Sequence, residues 1–598
     1  MRRIIVLVCW LALVAGVTAA QAQQAGGSAT KRKAKKKAAV TAEDVQSLRD
    51  AIAAQQQQIE QLKQELERRD QAVQQQQQAA QQAQSAAAAA QSKADQAAAQ
   101  AAQQQQDVTA IKNDVTDLKQ NATNTALTLQ ETQKSVTAME SPLALHYKGI
   151  TITPGGFLAA ETVWRNRGLA SDINTPFNSL TLPGSSQNSL PEFFGSGRQS
   201  RVAMLAEGKL KGAKLTGYVE ADFLSAGATS NNNESNSYTL RQRQVWGQAA
   251  LNDGWSFTGG QMWSLVTETK KGLDNRTEAL PMTIDPQYTV GFSWARQYGF
   301  RVVKNFNNKI WWGFSVENSQ ATSGGHGQNS NFLIGAAGNS GGLYNAFNGN
   351  YAFNPAPDFI TKLAFEPGWG HFEVYGIVSD FRDRIFPCAT AATGVACNGV
   401  TGASPAGAYN DSGIGGGIGG NIRVSLFNKH MDLGAHVLGG HGIGRYGTAG
   451  LPDVTERPDG VLSMIRSYQG LGTLEFHYPK FDVYFNGGAE YAGRDAFLNG
   501  SKGEGYGSPL FSNSGCYTET LPGSGGFSPG SLGSCTGDTR VVIEGTTGFF
   551  IKFYNGPKGR IQWGPQYSYV TRNTWSGDGL EPHGIDNMIF TSFRYYLP

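Results

Sequence analysis

Short and long connections alternate strictly along residues 149–598, and this order restricts the folds open to the chain more than any other feature. Segments of alternating apolar and polar residues recur through the region. In one of them, every second residue from Leu215 to Phe223 is apolar or Gly. Seven tight turns and eight long stretches rich in Gly, Ser and Asn separate sixteen such segments. A sandwich of two sheets has no reason to sort its connections by length onto opposite ends.

This pattern predicts an antiparallel β-barrel of sixteen strands in the cell outer membrane, with tight turns in the periplasm and long loops outside. Alternating strands can face lipid on one side and water on the other. An open sheet edge in hydrocarbon would leave backbone groups unpaired, so the sheet should close around a water-filled lumen. After the first 20 residues no apolar run approaches the ~18 residues that a membrane helix needs, which excludes a helical membrane protein.

Residues 1–22 have the pattern of an export signal peptide. Two arginines precede an apolar stretch from Ile4 to Val17, and Ala20-Gln21-Ala22 supplies the small-x-small cleavage pattern. The mature chain should then begin at Gln23. An uncleaved anchor is the alternative.

Residues 43–140 contain no Gly or Pro and keep one heptad register. From Val45 to Val136 every seventh residue is apolar, over fourteen heptads, which is typical of a coiled coil. The d positions are interrupted by polar residues, so the seam leaves a dimer and a trimer open. A disordered Gln/Ala tract is the alternative. Because both ends of the barrel should lie on the short-turn side, the coil is expected in the periplasm, before a barrel domain at 141–598.

Residues 23–42 form a basic flexible segment, with six Lys or Arg within 31–37. Such a charge run usually stays extended and solvated. It could instead bind peptidoglycan, as an acidic envelope polymer, or anionic lipid. Nucleic acid is not expected as a partner of an exported chain.

Four cysteines remain after the signal peptide, and an exported chain meets oxidising conditions, so disulfides are expected. Three pairings exist. We favour the sequence neighbours Cys388–Cys397 and Cys516–Cys535, because each pair lies within one predicted loop. A metal site is the weaker alternative, since no Cys-x-x-Cys occurs and no His lies close to either pair. No metal and no cofactor are predicted.

The sequence offers little for catalysis. No His-Glu-x-x-His motif occurs, the eight His residues are scattered, and the Asp and Glu residues are no more than a water-filled lumen needs. The chain is therefore not expected to be an enzyme. Residues 142–598 hold 34 Lys/Arg and 34 Asp/Glu, so net charge does not indicate an ion preference.

Arginines are the candidate site residues of the barrel. A guanidinium on the lipid face costs ~2–4 kcal/mol at mid-depth, so arginines at depth should line the pore. Arg241 and Arg243 lie two apart on one strand and should share a face. The alternative is that each pairs with an acidic residue of the wall, such as Glu220 or Asp222. The candidate pore-lining arginines are Arg198, Arg201, Arg241, Arg243, Arg296 and Arg301.

The stretch from 197 to 264 resembles the DcaP-like trimeric porins, and the chain is more distantly similar to phosphate-selective porins. Four segments carry the resemblance: Gly-Arg-Gln-Ser-Arg at 197–201, Gly-Tyr-Val-Glu-Ala-Asp-Phe at 217–223, Ser-Tyr-Thr-Leu-Arg-Gln-Arg at 237–243 and Gly-Gly-Gln-Met-Trp-Ser at 259–264. The coiled coil also resembles that family's arrangement. The resemblance implies a homotrimer of sixteen-stranded barrels that passes small anions, including dicarboxylates.

The resemblance also implies that the third outer loop folds into the barrel and narrows it. That loop corresponds to residues 266–286, and its candidate constriction residues are Lys270, Lys271, Asp274, Arg276 and Glu278. Two features depart from the family. The chain ends in Leu597-Pro598 rather than an aromatic residue, and the neutral barrel lacks the basic excess of a phosphate channel.

Together these observations predict a porin, a passive channel for small hydrophilic solutes with a preference for anions. The alternative function is structural: a barrel whose coiled coil and basic tail tether the outer membrane to the cell wall or the inner membrane.

Overall fold

The computed structural model describes residues 145–224, 239–319, 321–327, 332–333, 354–521, 534–578 and 580–598, together with three single residues at 112, 115 and 119. Those three have α-helical backbone. The predicted signal peptide and basic segment lie outside the described residues, as does all of the predicted coiled coil except these three positions. All three regions stay predictions. Among the described residues, no helix combines the length and apolar character needed to cross a membrane.

Sixteen antiparallel strands form one closed sheet, which confirms the predicted barrel. Each strand pairs with the next one along the chain, and the last pairs with the first, where Phe157 lies opposite Tyr596. The strands are β1 (Ile150–Arg165), β2 (Arg201–Lys209), β3 (Ala213–Asp222), β4 (Arg241–Leu251), β5 (Trp255–Trp263), β6 (Arg296–Phe306), β7 (Ile310–Glu317), β8 (Asp358–Phe365), β9 (His371–Ile385), β10 (Tyr409–Leu426), β11 (Met431–His441), β12 (Arg466–His477), β13 (Phe481–Ala492), β14 (Thr539–Gly556), β15 (Gly559–Thr574) and β16 (His583–Tyr596).

Three short segments extend this sheet. Leu145–Tyr147 folds back onto the start of β1. Glu192–Ser196 pairs with the last residues of β1, and β2 pairs with the first ones. Residues 197–200 therefore interrupt what would otherwise be one long second strand. Phe332–Leu333 pairs with the end of β9.

The connections are sorted by length, as the sequence predicts. Tight turns join the strands at one end of the barrel, which we call the short-turn end. In one of these turns, Asn307 and Asn308 have φ of 56°, a left-handed conformation that Asn tolerates. Eight longer connections join the strands at the other end, which we call the long-loop end. They are L1 (166–200), L2 (223–240), L3 (264–295), L4 (318–357), L5 (386–408), L6 (442–465), L7 (493–538) and L8 (575–582).

The barrel is apolar outside and polar inside, the reverse of a soluble protein. Leu158, Phe300 and Ile418 are among the large apolar side chains exposed on the outer face. Glu161, Glu373 and Glu544 are buried on the inner face. Only a lipid environment leaves such an outer surface stable, because water would have to hydrate the whole apolar band.

Two disulfides brace the long-loop end. Cys388 and Cys397 are bonded within L5, beside a small hairpin, and Cys516 and Cys535 are bonded within L7. The backbone carbonyl of Cys516 accepts a hydrogen bond from Gly184 at 2.5 Å, which joins L7 to L1. These are the two pairings that the loop positions favoured.

Candidate functional site

L3 lies inside the barrel and is held by side chains of the wall. Its first turn donates backbone N–H groups to two buried carboxylates, Leu265 to Glu317 on β7 at 2.8 Å and Thr269 to Glu373 on β9 at 3.2 Å. Four further N–H groups donate to Glu475 on β12, Gln566 on β15, Glu544 on β14 and Glu490 on β13, at 2.7–3.0 Å; the donors are Met282, Ile284, Val290 and Gly291. The loop therefore crosses the lumen from β7 to β15.

Apolar packing also attaches L3 to the wall. Leu273 packs with Val303 and Trp311 of the wall, and Ile284 packs in a larger cluster that includes Tyr484 and Phe550. Each N–H that meets a carboxylate avoids the cost of an unpaired buried donor. L3 is thus a packed layer of the interior, with fixed contacts along its length.

The five candidate constriction residues lie on one hairpin of L3. Thr269 and Glu278 form the bridge that closes this hairpin. Four of the side chains are exposed, and Glu278 is half-buried; the exposed ones are Lys270, Lys271, Asp274 and Arg276. The Arg276 guanidinium lies 5.0 Å from the ring centre of Tyr218 on β3, which places the hairpin tip against the arginine-bearing wall.

Arg241 and Arg243 point into the lumen and bind the same carboxylate. Arg241 donates to both Asp222 oxygens, at 3.0 and 2.9 Å, and Arg243 donates to Asp222 at 2.6 Å and to Glu220 at 2.6 Å. Arg243 is the extra residue of a β-bulge, because Gln242 and Gln244 lie opposite consecutive residues of β3. The pairing with Glu220 and Asp222 is the alternative that the sequence left open for these arginines.

Arg201 and Arg296 complete a cluster of four guanidiniums on this wall, which we call the arginine cluster (Arg201, Arg241, Arg243 and Arg296). Arg201 lies 3.6 Å from Glu220. Arg296 donates to the Gln287 side chain of L3 at 3.0 Å and lies 4.9 Å from the Trp263 ring centre. Among the described residues, no carboxylate forms an ion pair with Arg296, so the cluster holds four guanidiniums against the two carboxylates of β3.

L3 brings one acidic group to this cluster, Asp285, beside Arg201 and Arg243 around a small cavity. Burial raises the pKa of Asp285 well above its ordinary value, and repulsion from the carboxylates of Glu544 and Glu161 raises it further. These effects favour the neutral form of Asp285. Even with Asp285 counted as ionised, the cluster holds four guanidiniums against three carboxylates.

The two remaining candidate arginines lie elsewhere. Arg198 falls in the interruption before β2, outside any strand, and pairs with Asp172 of L1 at 2.9 Å. Arg301 is buried between β5 and β7, where it donates to the Trp263 carbonyl and lies 4.0 Å from Glu317. The structure therefore brings together four of the six candidates, and the other two brace L1 and the wall.

Sequence reasoning missed a second charged group, on β8 and β9 of the wall. Lys362 of β8 lies 2.7 Å from Glu373 of β9, and His371 lies 3.0 Å from Glu373 and 2.7 Å from Glu366. The period-2 pattern places Lys362, His371 and Glu373 on the inner face, which was the available signal. Their pairing depends on the register of two strands, which periodicity does not give.

The sequence also gave no metal site, whereas the structure brings three side chains with metal-ligand chemistry together near the short-turn end. Asp432 of β11 lies beside Glu475 and His477 of β12, with all three candidate donor atoms within 4.8 Å of one another. No local sequence motif indicates this group, because its members come from two strands.

Comparison with known proteins finds solved structures with a similar fold. No protein-family model and no curated protein matches the chain. Among solved structures, the outer membrane channel DcaP of Acinetobacter baumannii matches with a TM-score of 0.50 and 13% identity, over 76% of this chain and 99% of that chain. OmpF of Salmonella typhi matches with a TM-score of 0.39 and 10% identity over 76% and 100%, and OmpT of Vibrio cholerae with 0.36 and 10% over 76% and 99%. The chain thus has a barrel fold like that of DcaP, which agrees with the resemblance that its sequence predicts.

Proposed function

We propose that this chain is an outer-membrane porin, a passive diffusion channel for small hydrophilic solutes that favours anions such as dicarboxylates. The short-turn end faces the periplasm and the long-loop end faces the outside. Three copies assemble through their barrels and coiled coils. L3 sets the size cutoff of each pore, and its exposed side chains, Lys270, Lys271, Asp274 and Arg276, meet the passing solute.

The positive excess of the arginine cluster is the observation that supports anion preference. Arg201 and Arg241 keep 23% and 25% of their side-chain surface exposed, so both can meet a solute, while Arg243 is nearly buried beneath them. A guanidinium offers forked N–H donors that match a carboxylate, and basic pore walls lower the barrier for anions. Several guanidiniums on one wall suit a solute with two carboxylates.

Ion selectivity in planar bilayers tests this proposal. We expect the purified full chain to give stepwise currents in groups of three and a reversal potential that indicates more permeant chloride than potassium. Replacing both Arg241 and Arg296 by Gln should lower the chloride-to-potassium permeability ratio at least twofold, because two of four guanidiniums are removed. Succinate permeability should fall more than chloride permeability.

Two matched variants separate charge from geometry. Replacing the same two arginines by Lys keeps the charge but removes the forks, so chloride preference should persist while succinate preference drops. Lys211→Gln, in an exposed turn at the short-turn end, removes a cation away from the cluster and should change neither ratio. An unchanged permeability ratio in the Gln pair would reject the assigned pore wall.

The tether is the second candidate function, and it depends on residues 23–140. Deleting them tests it directly. If the tether operates, cells with the shortened chain should shed outer-membrane vesicles, while single-channel conductance stays that of the full chain. Intact envelopes in the deletion strain would reject the tether function and leave the channel as the proposed function.

A further inference from the structure

Three side chains meet on the inner face near the short-turn end, and strand pairing alone places them there. Asp432 of β11 lies directly opposite Glu475 of β12 in the sheet register. His477 follows Glu475 by two residues, so it shares the inner face. Asp482 of β13 lies directly opposite His477. Four neighbouring side chains thus project into one corner of the lumen.

Asp432 and Glu475 each have one oxygen fixed by a hydrogen bond and the other turned toward Nε2 of His477. The Ser425 hydroxyl donates to Oδ1 of Asp432 at 2.5 Å, and Oδ2 lies 3.4 Å from Nε2 of His477. The N–H of Met282 in L3 donates to Oε1 of Glu475 at 3.0 Å, and Oε2 lies 3.5 Å from the same Nε2. These orientations are held before any ligand arrives.

The distances suit a metal ion better than a hydrogen bond. An N–H donor prefers an oxygen at ~2.7–3.2 Å, so contacts of 3.4 and 3.5 Å are long. Around a tetrahedral zinc with bonds of ~2.0–2.1 Å, neighbouring ligand atoms lie ~3.3–3.4 Å apart. The two separations from Nε2 therefore match two edges of such a tetrahedron.

The other imidazole nitrogen has the partner that metal-binding histidines usually have. Nδ1 of His477 lies 3.4 Å from Oδ1 of Asp482, and that oxygen is fixed by Lys552 at 2.8 Å. This contact is also longer than an ordinary hydrogen bond, but a carboxylate on the Nδ1 side of the ring favours the proton on Nδ1 and leaves Nε2 as the ligand. Arg423, the nearby cation of β10, is bound to Glu268 of L3 at 2.7 Å instead.

From this geometry we propose that Asp432, Glu475 and His477 form a zinc site on the inner wall of the barrel, with Asp482 as a positioning residue. One imidazole nitrogen and two carboxylate oxygens are ligands that zinc accepts, and water completes the tetrahedron. Asp432 and His477 are only partly buried, at 22% and 31% exposure of the side chain, so the ion can arrive through the lumen. The ion would add positive charge beside the path of the solute.

Zinc titration of the full chain in detergent, followed by calorimetry, tests the site. We expect one ion per chain and loss of that binding in His477→Gln and in Asp432→Asn. Asp482→Asn keeps all three ligands and should weaken affinity about 10–100-fold, as loss of an orienting partner does. His441→Gln, at the opposite end of β11, is the matched control and should bind as the unchanged protein does.

A spectroscopic measurement keeps the test independent of variant folding. Zinc-edge X-ray absorption of the loaded protein should show a four-coordinate ion with one nitrogen ligand and oxygen ligands at ~2.0 Å. No binding, binding that survives His477→Gln, or a six-coordinate ion bound through oxygen alone would overturn the proposal. The cluster would then be an ion-pair network of the wall. None of these readouts depends on the chain acting as a channel.

Discussion

At the scale of single residues, the inner wall is shaped by glycines as much as by charges. Gly488 on β13 leaves room for L3: a Cβ at this position would overlap the Val290 carbonyl oxygen. Gly291 of L3 makes a second close approach. Its φ is +86°, and a Cβ at this position would overlap the Gly470 carbonyl oxygen of β12. Loop and wall therefore approach backbone to backbone, which side chains would prevent.

Gly488→Ala should consequently push L3 away from β13. We expect the N–H of Val290 to lose its bond to Glu544 and the pore to pass larger solutes. Single-channel conductance with polyethylene glycols of graded size measures the cutoff. Gly487→Ala is the control, because Gly487 has open space around its missing Cβ. Equal cutoffs in the two variants would show that L3 does not depend on this contact.

The arginines show how far a sequence predicts residue roles. The cost of a guanidinium in lipid predicts that Arg241 and Arg243 face inward, and periodicity indicates the strand that carries them. It did not reveal that Arg243 forms a bulge, because a bulge exists only relative to a partner strand. Nor did periodicity distinguish Arg198 from the other candidate pore-lining arginines. Arg198 lies in the interruption before β2 and pairs with Asp172 of L1.

At the scale of elements, the strands follow from local pattern and the loops do not. The alternating segments and the tight turns between them are both visible in the sequence. The course of L3 is not, because its partners lie on strands up to 310 residues away, as for Ile284 and Arg594. Only the family resemblance suggested an inward loop.

One contact between loops should respond to pH. His326 of L4 forms an ion pair with Asp538 of L7 at 3.0 Å, and its backbone exchanges hydrogen bonds with Gly505 of L7. The hydrogen bond to Asp538 raises the pKa of His326 above its ordinary value of 6.5, against the opposing effect of burial. A raised pKa of a histidine means that the stabilisation is complete below pH ~6.5 and is lost as pH rises through the higher folded value.

Hydrogen exchange measures this effect. Protection factors of the His326 and Gly505 amides, corrected for intrinsic exchange, should fall as pH rises from 6 to beyond the folded pKa. His326→Gln removes the titrating group and should give weaker protection that does not change over the same interval. A flat profile in the unchanged protein would contradict the assigned ion pair.

At the scale of the whole molecule, closure depends on the last strand. β16 pairs with β15 on one side and β1 on the other, and Arg594 of β16 forms a buried ion pair with Glu161 of β1 at 2.6 Å. A chain that ends at residue 582 lacks this strand and leaves two open edges. We expect it to fail to insert into lipid vesicles, since each edge would expose unpaired backbone groups to hydrocarbon.

Heat-modifiable migration in gels and protection from protease in vesicles measure this outcome. The control is removal of Leu597 and Pro598 alone, which lie beyond β16 and should leave the barrel intact. Insertion of the shortened chain at normal yield would show that fifteen strands can close by themselves. Removing 23–140 should not affect barrel closure, because the pairing of β1 begins only at Ile150.

The pairing of Phe157 with Tyr596 also has a consequence for synthesis. Since the first strand pairs with the sixteenth, the ring cannot close on a nascent chain until β16 has been made. The polypeptide must travel to its destination unfolded, kept from aggregating by other means, and the whole cylinder then completes as one late event.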